Sequence, residues 1–165
     1  MMPQNRPDAY NNPMPKQWIT DRAVLEDLLA KAPAGCLATV GADGLPYVTP
    51  VNFLYADGCV YIHSALTGRK LSNIAGQPAV SFSVFELERL AIGDSPCACS
   101  TRYQSVLIEG RARIVADGPV KARRLAELTE RFAGRNLGVP SDDECQRTAL
   151  IEIRAEQLTG KRNTD

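Results

Sequence analysis

The spacing of apolar residues along the chain changes repeatedly, and each change predicts an element. Residues 1–17 show no apolar period: Pro3, Pro7, Pro13 and Pro15 stand among Asn and Gln, which predicts an extended arm. Trp18, the only tryptophan, lies where this arm meets a domain over 18–165. Val24, Leu25, Leu28 and Leu29 then fall on one face of a helix that Thr20 or Asp21 can cap, and Pro33 and Gly35 end it. Beyond Gly35 the pattern turns to β. Cys36–Val40, Tyr47–Tyr55 and Cys59–His63 read as three strands. They are separated by Ala42-Asp43-Gly44 and Ala56-Asp57-Gly58, and an Asp-Gly pair supplies the positive φ of a tight hairpin.

A short helix follows over Thr67–Ala75, closed by Gly76 and Pro78, and Ala79–Phe85 is a fourth strand. The stretch from Glu88 to Tyr103 reads as a loop. Ser105–Val115 forms a fifth strand, and Asp117-Gly118-Pro119 opens a helix ending near Gly134, with Leu125, Leu128 and Phe132 at helical spacing. In Thr148–Ala155, Ile151 and Ile153 alternate with Glu152 and Arg154, which gives a sixth strand. Six strands without βαβ alternation predict a mainly β fold, a small and mostly antiparallel barrel with peripheral helices.

Composition narrows the class without changing this picture. The chain has 165 residues, 44% hydrophobic and 23% charged, as expected of one globular domain. Nineteen Lys and Arg balance nineteen Asp and Glu, which argues against a general nucleic-acid binder. No apolar run approaches the roughly 18 residues of a spanning helix, and the N-terminal stretch lacks a signal-peptide layout, so neither nucleic acid nor membrane is an expected partner and the expected location is cytoplasmic. Five cysteines (Cys36, Cys59, Cys97, Cys99 and Cys145) are an odd set and are expected as free thiols. With His63 the only histidine, Cys97 and Cys99 lack the further ligands of a structural zinc site, and no metal is expected.

Two segments could carry chemistry. In His63-Ser64-Ala65-Leu66-Thr67-Gly68-Arg69-Lys70 a strand gives way to a helix. Unpaired N–H groups at the helix start, two adjacent cations and a glycine before them suit a phosphate. A solvated surface turn is the other reading. In Pro46–Tyr55, Pro50 and Asn52 interrupt an apolar strand. A proline adds no ladder bond, so this is an edge, a bulge or a barrel corner, and a corner leaves backbone groups free for a flat heteroaromatic ring. Histidine is the residue type whose unperturbed titration lies near neutrality, and His63 stands between these segments, as a proton donor, a contact residue, a metal ligand or a hydrogen-bonded structural side chain. No Gly-x-Ser-x-Gly elbow and no second histidine support a hydrolytic triad.

Together with Gly35–Val40, Pro46–Phe53, Thr101–Val106, Gly110-Arg111-Ala112 and Leu158–Lys161, these segments resemble the pyridoxamine 5′-phosphate oxidase-related family of FMN-binding split barrels, in particular its nitroimidazole-resistance (Nim-like) branch. The resemblance spans roughly 35–161. It implies a six-stranded antiparallel split β-barrel, a homodimer, and FMN held between the subunits. Arg69 and Lys70 match the phosphate-gripping pair, and Val51, Asn52 and Phe53 match the strand whose backbone meets the isoalloxazine ring. His63 and Ser64 match positions lining the flavin, Ser105 matches a contact often made from the partner subunit, and Arg102 and Tyr103 stand near it. No histidine follows Ser64, so the C-terminal substrate motif of true pyridoxamine-phosphate oxidases is absent. The implied activity is an FMN-dependent oxidoreductase of nitroreductase type, with a small-molecule electron donor and acceptor and with His63 as its catalytic residue. The alternative is a non-catalytic flavin, deazaflavin or haem binding or sensing protein on the same barrel.

Overall fold

The structure is a computed structural model, and it describes residues 17–163. Residues 1–16 of the arm predicted over 1–17 lie outside the described residues, and Gln17 begins a strand. The elements are β1 (Gln17–Ile19), α1 (Arg22–Lys31), β2 (Gly35–Val40), β3 (Pro46–Val51), β4 (Leu54–Ala56) and β5 (Cys59–Ser64). Then follow α2 (Arg69–Gly76), β6 (Ala79–Ala91), β7 (Ser100–Ile114), α3 (Pro119–Ala133), α4 (Asp142–Gln146) and β8 (Ala149–Asn163).

Among the described residues, all eight strands belong to one antiparallel sheet of order β3-β2-β6-β7-β8-β5-β4, with β1 added against β8. The mainly β, antiparallel expectation holds, and the strand number is corrected from six to eight. The predicted strand 47–55 divides at Asn52-Phe53 into β3 and β4, and Gln17–Ile19 adds a short strand. The two halves of that divided strand lie at opposite ends of the sheet path, so Asn52-Phe53 carries the chain from one end to the other. Pro46 and Pro50 sit on β3, which pairs only with β2; an edge tolerates a missing N–H.

The region 88–103 is not a loop. β6 and β7 run on as a hairpin to Ala91 and Ser100, tipped by a 3-10 turn at Pro96–Ala98 that carries the free thiols Cys97 and Cys99. β8 likewise continues past Ala155 to Asn163, pairing Ser105 with Lys161.

Alternation along β5 and β8 divides the interior in two. Val60, Ile62, Ile151 and Ile153 face the main core with Leu25, Leu28 and Leu29 of α1, Phe53, Phe82 and Ile108. Tyr61 and Leu150 face the other way, into a smaller cluster with Leu125 of α3, Val115 and Cys145. Each fully buried Leu, Ile or Phe contributes about 1.5–3 kcal/mol, so the main core dominates stability.

α1 starts where the Asp21 side chain accepts the Ala23 N–H at 2.9 Å. Its C-terminal carbonyls are met by α3: Arg131 donates to Leu29, Ala30 and Ala32, and its guanidinium lies 5.3 Å from the Phe53 ring centroid. Burial lowers the Arg131 pKa, while the negative end of α1 favours the cation. Among the described residues no helix is long and apolar enough to cross a membrane.

Candidate functional site

α2 starts at Arg69 immediately after Gly68, whose φ of 138° is outside the range that L side chains readily adopt. Gly68 supplies no side-chain cap, so the first N–H groups of α2 are left for another acceptor. The helix is pinned from behind: the buried Asn73 donates to Thr39 Oγ1 at 2.9 Å, and Thr39 donates to the Tyr47 carbonyl. That network ties α2 to β2 and β3.

In front of α2 lies a cleft of about 310 Å³ lined by Pro50, Val51, Asn52, His63 and Lys70. Sequence-distant residues meet here because Asn52 sits at the break between β3 and β4, His63 near the end of β5, and Lys70 in the first turn of α2. Asn52 and His63 are exposed and Lys70 is half-buried. Arg69 turns the other way, its guanidinium 4.8 Å from the Tyr47 ring centroid and 3.9 Å from Asp43.

Phe53 and Ser64, like Arg69, are absent from the cleft walls. The Phe53 side chain is fully buried, edge-on to Phe82 with centroids 4.8 Å apart, so only its backbone can face a ligand. Ser64 follows His63 and therefore points to the opposite face of β5, where its buried Oγ has no hydrogen-bond partner. Thr49 Oγ1 on β3 is also buried and unpartnered.

Ser105, Arg102 and Tyr103 are elsewhere. Ser105 donates to the Lys161 carbonyl at 3.3 Å, Arg102 donates to Asn163 Oδ1 at 3.1 Å, and Tyr103 stacks on Phe85 with centroids 5.3 Å apart. On β8, the partner of His63 is Leu150 and that of Ser105 is Lys161. At about 3.3 Å per residue, roughly 35 Å of strand separates the two groups in one chain.

His63 also lines a second pocket of about 380 Å³, with Leu125, Leu128 and Thr129 of α3, Leu137–Pro140, Glu144 of α4 and Thr148. α4 was not among the predicted elements, although Ser141-Asp142-Asp143-Glu144 carries a capping-box signature. Glu144 accepts from the Ser141 N–H and hydroxyl, both at 2.8 Å, and the backbone N–H bond chiefly holds its carboxyl below the usual range. Beneath this pocket Tyr61 is pushed up to about 12, first by burial and then by the charge of Glu152. Arg124 stacks on Tyr61 at 4.7 Å. Burial acts to lower its pKa, but bonds to Glu127 and Asp57 outweigh it and the net shift is upward.

The sequence pattern of the family described as pyridoxamine 5′-phosphate oxidase matches residues 21–162. The chain belongs to that family. No curated protein matches this family member significantly. Among solved structures, a candidate 5-nitroimidazole antibiotic resistance protein from Bacteroides thetaiotaomicron is similar at 22% identity and a TM-score of 0.80, over 98% of this chain and 95% of that one. A flavocytochrome from Azotobacter vinelandii is similar at 24% identity and 0.78, over 90% and 70%. An FAD and haem binding protein from Mycobacterium smegmatis is similar at 26% identity and 0.80, over 90% and 74%. The first two likenesses establish the shared fold.

Proposed function

We propose that this member of the pyridoxamine 5′-phosphate oxidase family is an FMN-dependent oxidoreductase, acting as a homodimer on a small-molecule electron donor and acceptor. The observation that carries the reading is the uncapped start of α2, with Lys70 beside it in a cleft whose other walls are Asn52 and His63. This donor set fits the group. A phosphate suits the N–H groups of α2 and the Lys70 ammonium. The backbone break at Asn52-Phe53 offers polar groups to a ring edge, and the adjoining β3 carries the buried, orphaned hydroxyl of Thr49.

FMN, when bound, supplies two-electron transfer. The chain's own residues would bind and orient: Lys70 and α2 would hold the phosphate, joined by Arg69 if it left Tyr47 and Asp43. The Asn52-Phe53 backbone would offer polar groups to the ring, and His63 would position or protonate the acceptor. The partner subunit would contribute Arg102, Tyr103 and Ser105, which lie far from the cleft within one chain. The likeness to an FAD and haem binding protein supports a flavin and makes haem the rival ligand.

The test is a spectrum and a titration. The purified protein given FMN should show flavin absorbance that bleaches on reduction and returns with an acceptor, and NAD(P)H should drive turnover. Lys70→Ala should weaken FMN about tenfold, the loss of one charge-assisted contact, while riboflavin, which has no phosphate, changes much less. Equal losses for both ligands, or a haem Soret band with no flavin uptake, would overturn the proposal.

A further inference from the structure

The pocket behind His63 is separate from the cleft that faces α2, yet the one imidazole is a wall of both. β5 alternation explains the arrangement: His63 is on the Tyr61 face of the strand, toward α3 and α4. Leu125, Leu128, Leu137, Val139 and Pro140 make the pocket apolar, and His63, Thr129, Thr148 and Glu144 converge on it as polar groups. Thr129 donates its hydroxyl hydrogen to the Leu125 carbonyl at 2.8 Å and so presents lone pairs outward. A concave apolar wall with few polar groups is the usual form of a small-molecule site, and about 380 Å³ is near the small end of that range.

We propose that this pocket binds a small, uncharged, one- or two-ring organic molecule, oriented by a hydrogen bond to His63. The apolar walls favour a ring system. The Glu144 carboxylate, kept ionised by its bonds to Ser141, disfavours an anion. A one- or two-ring molecule fits within that volume. The assignment of this molecule as the second substrate of the oxidoreductase rests on the flavin reading; its binding does not.

Quinoline, a neutral bicycle with one hydrogen-bond acceptor and no electrophilic carbon for the exposed thiols, is the probe. His63 is the only histidine, so its ring C–H signals in a proton NMR spectrum report on both clefts without assignment. In flavin-free protein, quinoline should shift these signals saturably with Kd below about 1 mM. Quinoline-2-carboxylate should bind about tenfold more weakly. Ala126→Trp, which fills the pocket from α3, and Val139→Lys, which places a charge at its exposed rim, should each weaken quinoline about tenfold with FMN affinity unchanged. Val139 is 72% exposed, so that variant keeps the test valid if Ala126→Trp does not fold. Absence of saturation, or unchanged quinoline affinity in the folded variants, overturns the pocket. FMN uptake without quinoline binding leaves the flavin reading intact and removes the pocket; quinoline binding without FMN uptake does the reverse.

Discussion

At the scale of single residues, the two neighbouring cations of α2 have different work. Lys70 lines the cleft, whereas Arg69 is held over Tyr47 beside Asp43 and is half-exposed, so its pairing there is screened and weak. His63 stands clear of the core, which makes it a safe residue to remove. His63→Ala should leave FMN affinity nearly unchanged and slow electron delivery to an acceptor by about 10²-fold or more, as for a lost general acid. Rapid-mixing rates per bound flavin check this, and unchanged rates across several acceptors would take His63 out of the chemistry. Tyr61 makes a pH prediction. Its pKa in the folded protein is about 12 against 10.0 for a free tyrosine. Above pH 10 the unfolded chain releases this proton and the folded chain keeps it, so stability falls as pH rises from 10 toward 12. The loss amounts to at most about 2–3 kcal/mol. Tyr61→Phe should flatten the fall of the urea midpoint over that window; an equally steep fall in the variant would assign the alkaline loss to other groups.

At the scale of elements, the long β6–β7–β8 ribbon depends on one close approach. The register of β7 against β8 shifts between Glu109 and Gly110, and a Cβ on Gly110 would sit 2.0 Å from the Arg154 carbonyl oxygen. A backbone atom cannot swing away, so Gly110→Ala must open the ladder at the bulge. We expect a stability loss of about 1–3 kcal/mol by urea denaturation. Gly76→Ala is the control: its Cβ meets nothing within 4 Å, and stability should hold or rise slightly. Equal effects of the two substitutions would contradict the steric argument. The same ribbon shows why the 88–103 hairpin was hidden. Phe85, Leu87, Leu90 and Ile92 are all exposed, so the pairing there is made by backbone bonds, with no buried face to impose an apolar alternation. In β8, the polar residues around Gln157 and the side-chain-less Gly160, itself buried beside Leu25, break the apolar pattern past Ala155.

At the scale of the whole molecule, that exposed apolar row is the strongest surface argument for a second copy. It pairs with Tyr103 and Ser105, which on the proposed flavin reading the partner would contribute. We expect light scattering at micromolar concentration to give twice the chain's 18.0 kDa. Leu90→Glu, on a side chain 61% exposed, should yield a folded monomer with weakened FMN binding. A wild-type monomer that retains FMN would place the entire site within one chain.

Sequence alone determined the elements whose pattern has a local cause. α1 has its Asp21 cap and its Leu25, Leu28 and Leu29 stripe; the Asp-Gly turns and the pattern of Ile151 and Ile153 in β8 were equally legible. The strand-to-helix junction at Gly68 was legible too, and the capping box of α4 was present in the sequence though it went unpredicted. Tertiary structure decided everything that depends on which face a side chain takes. It split 47–55 between opposite ends of the sheet, buried the Phe53 ring, turned Ser64 away from His63, and drew Arg69 toward Asp43. It also set His63 between two cavities. The physical reason is range: caps, turns and amphipathic stripes are settled within a few residues, whereas a cavity wall is assembled from segments that only long-range strand pairing brings together.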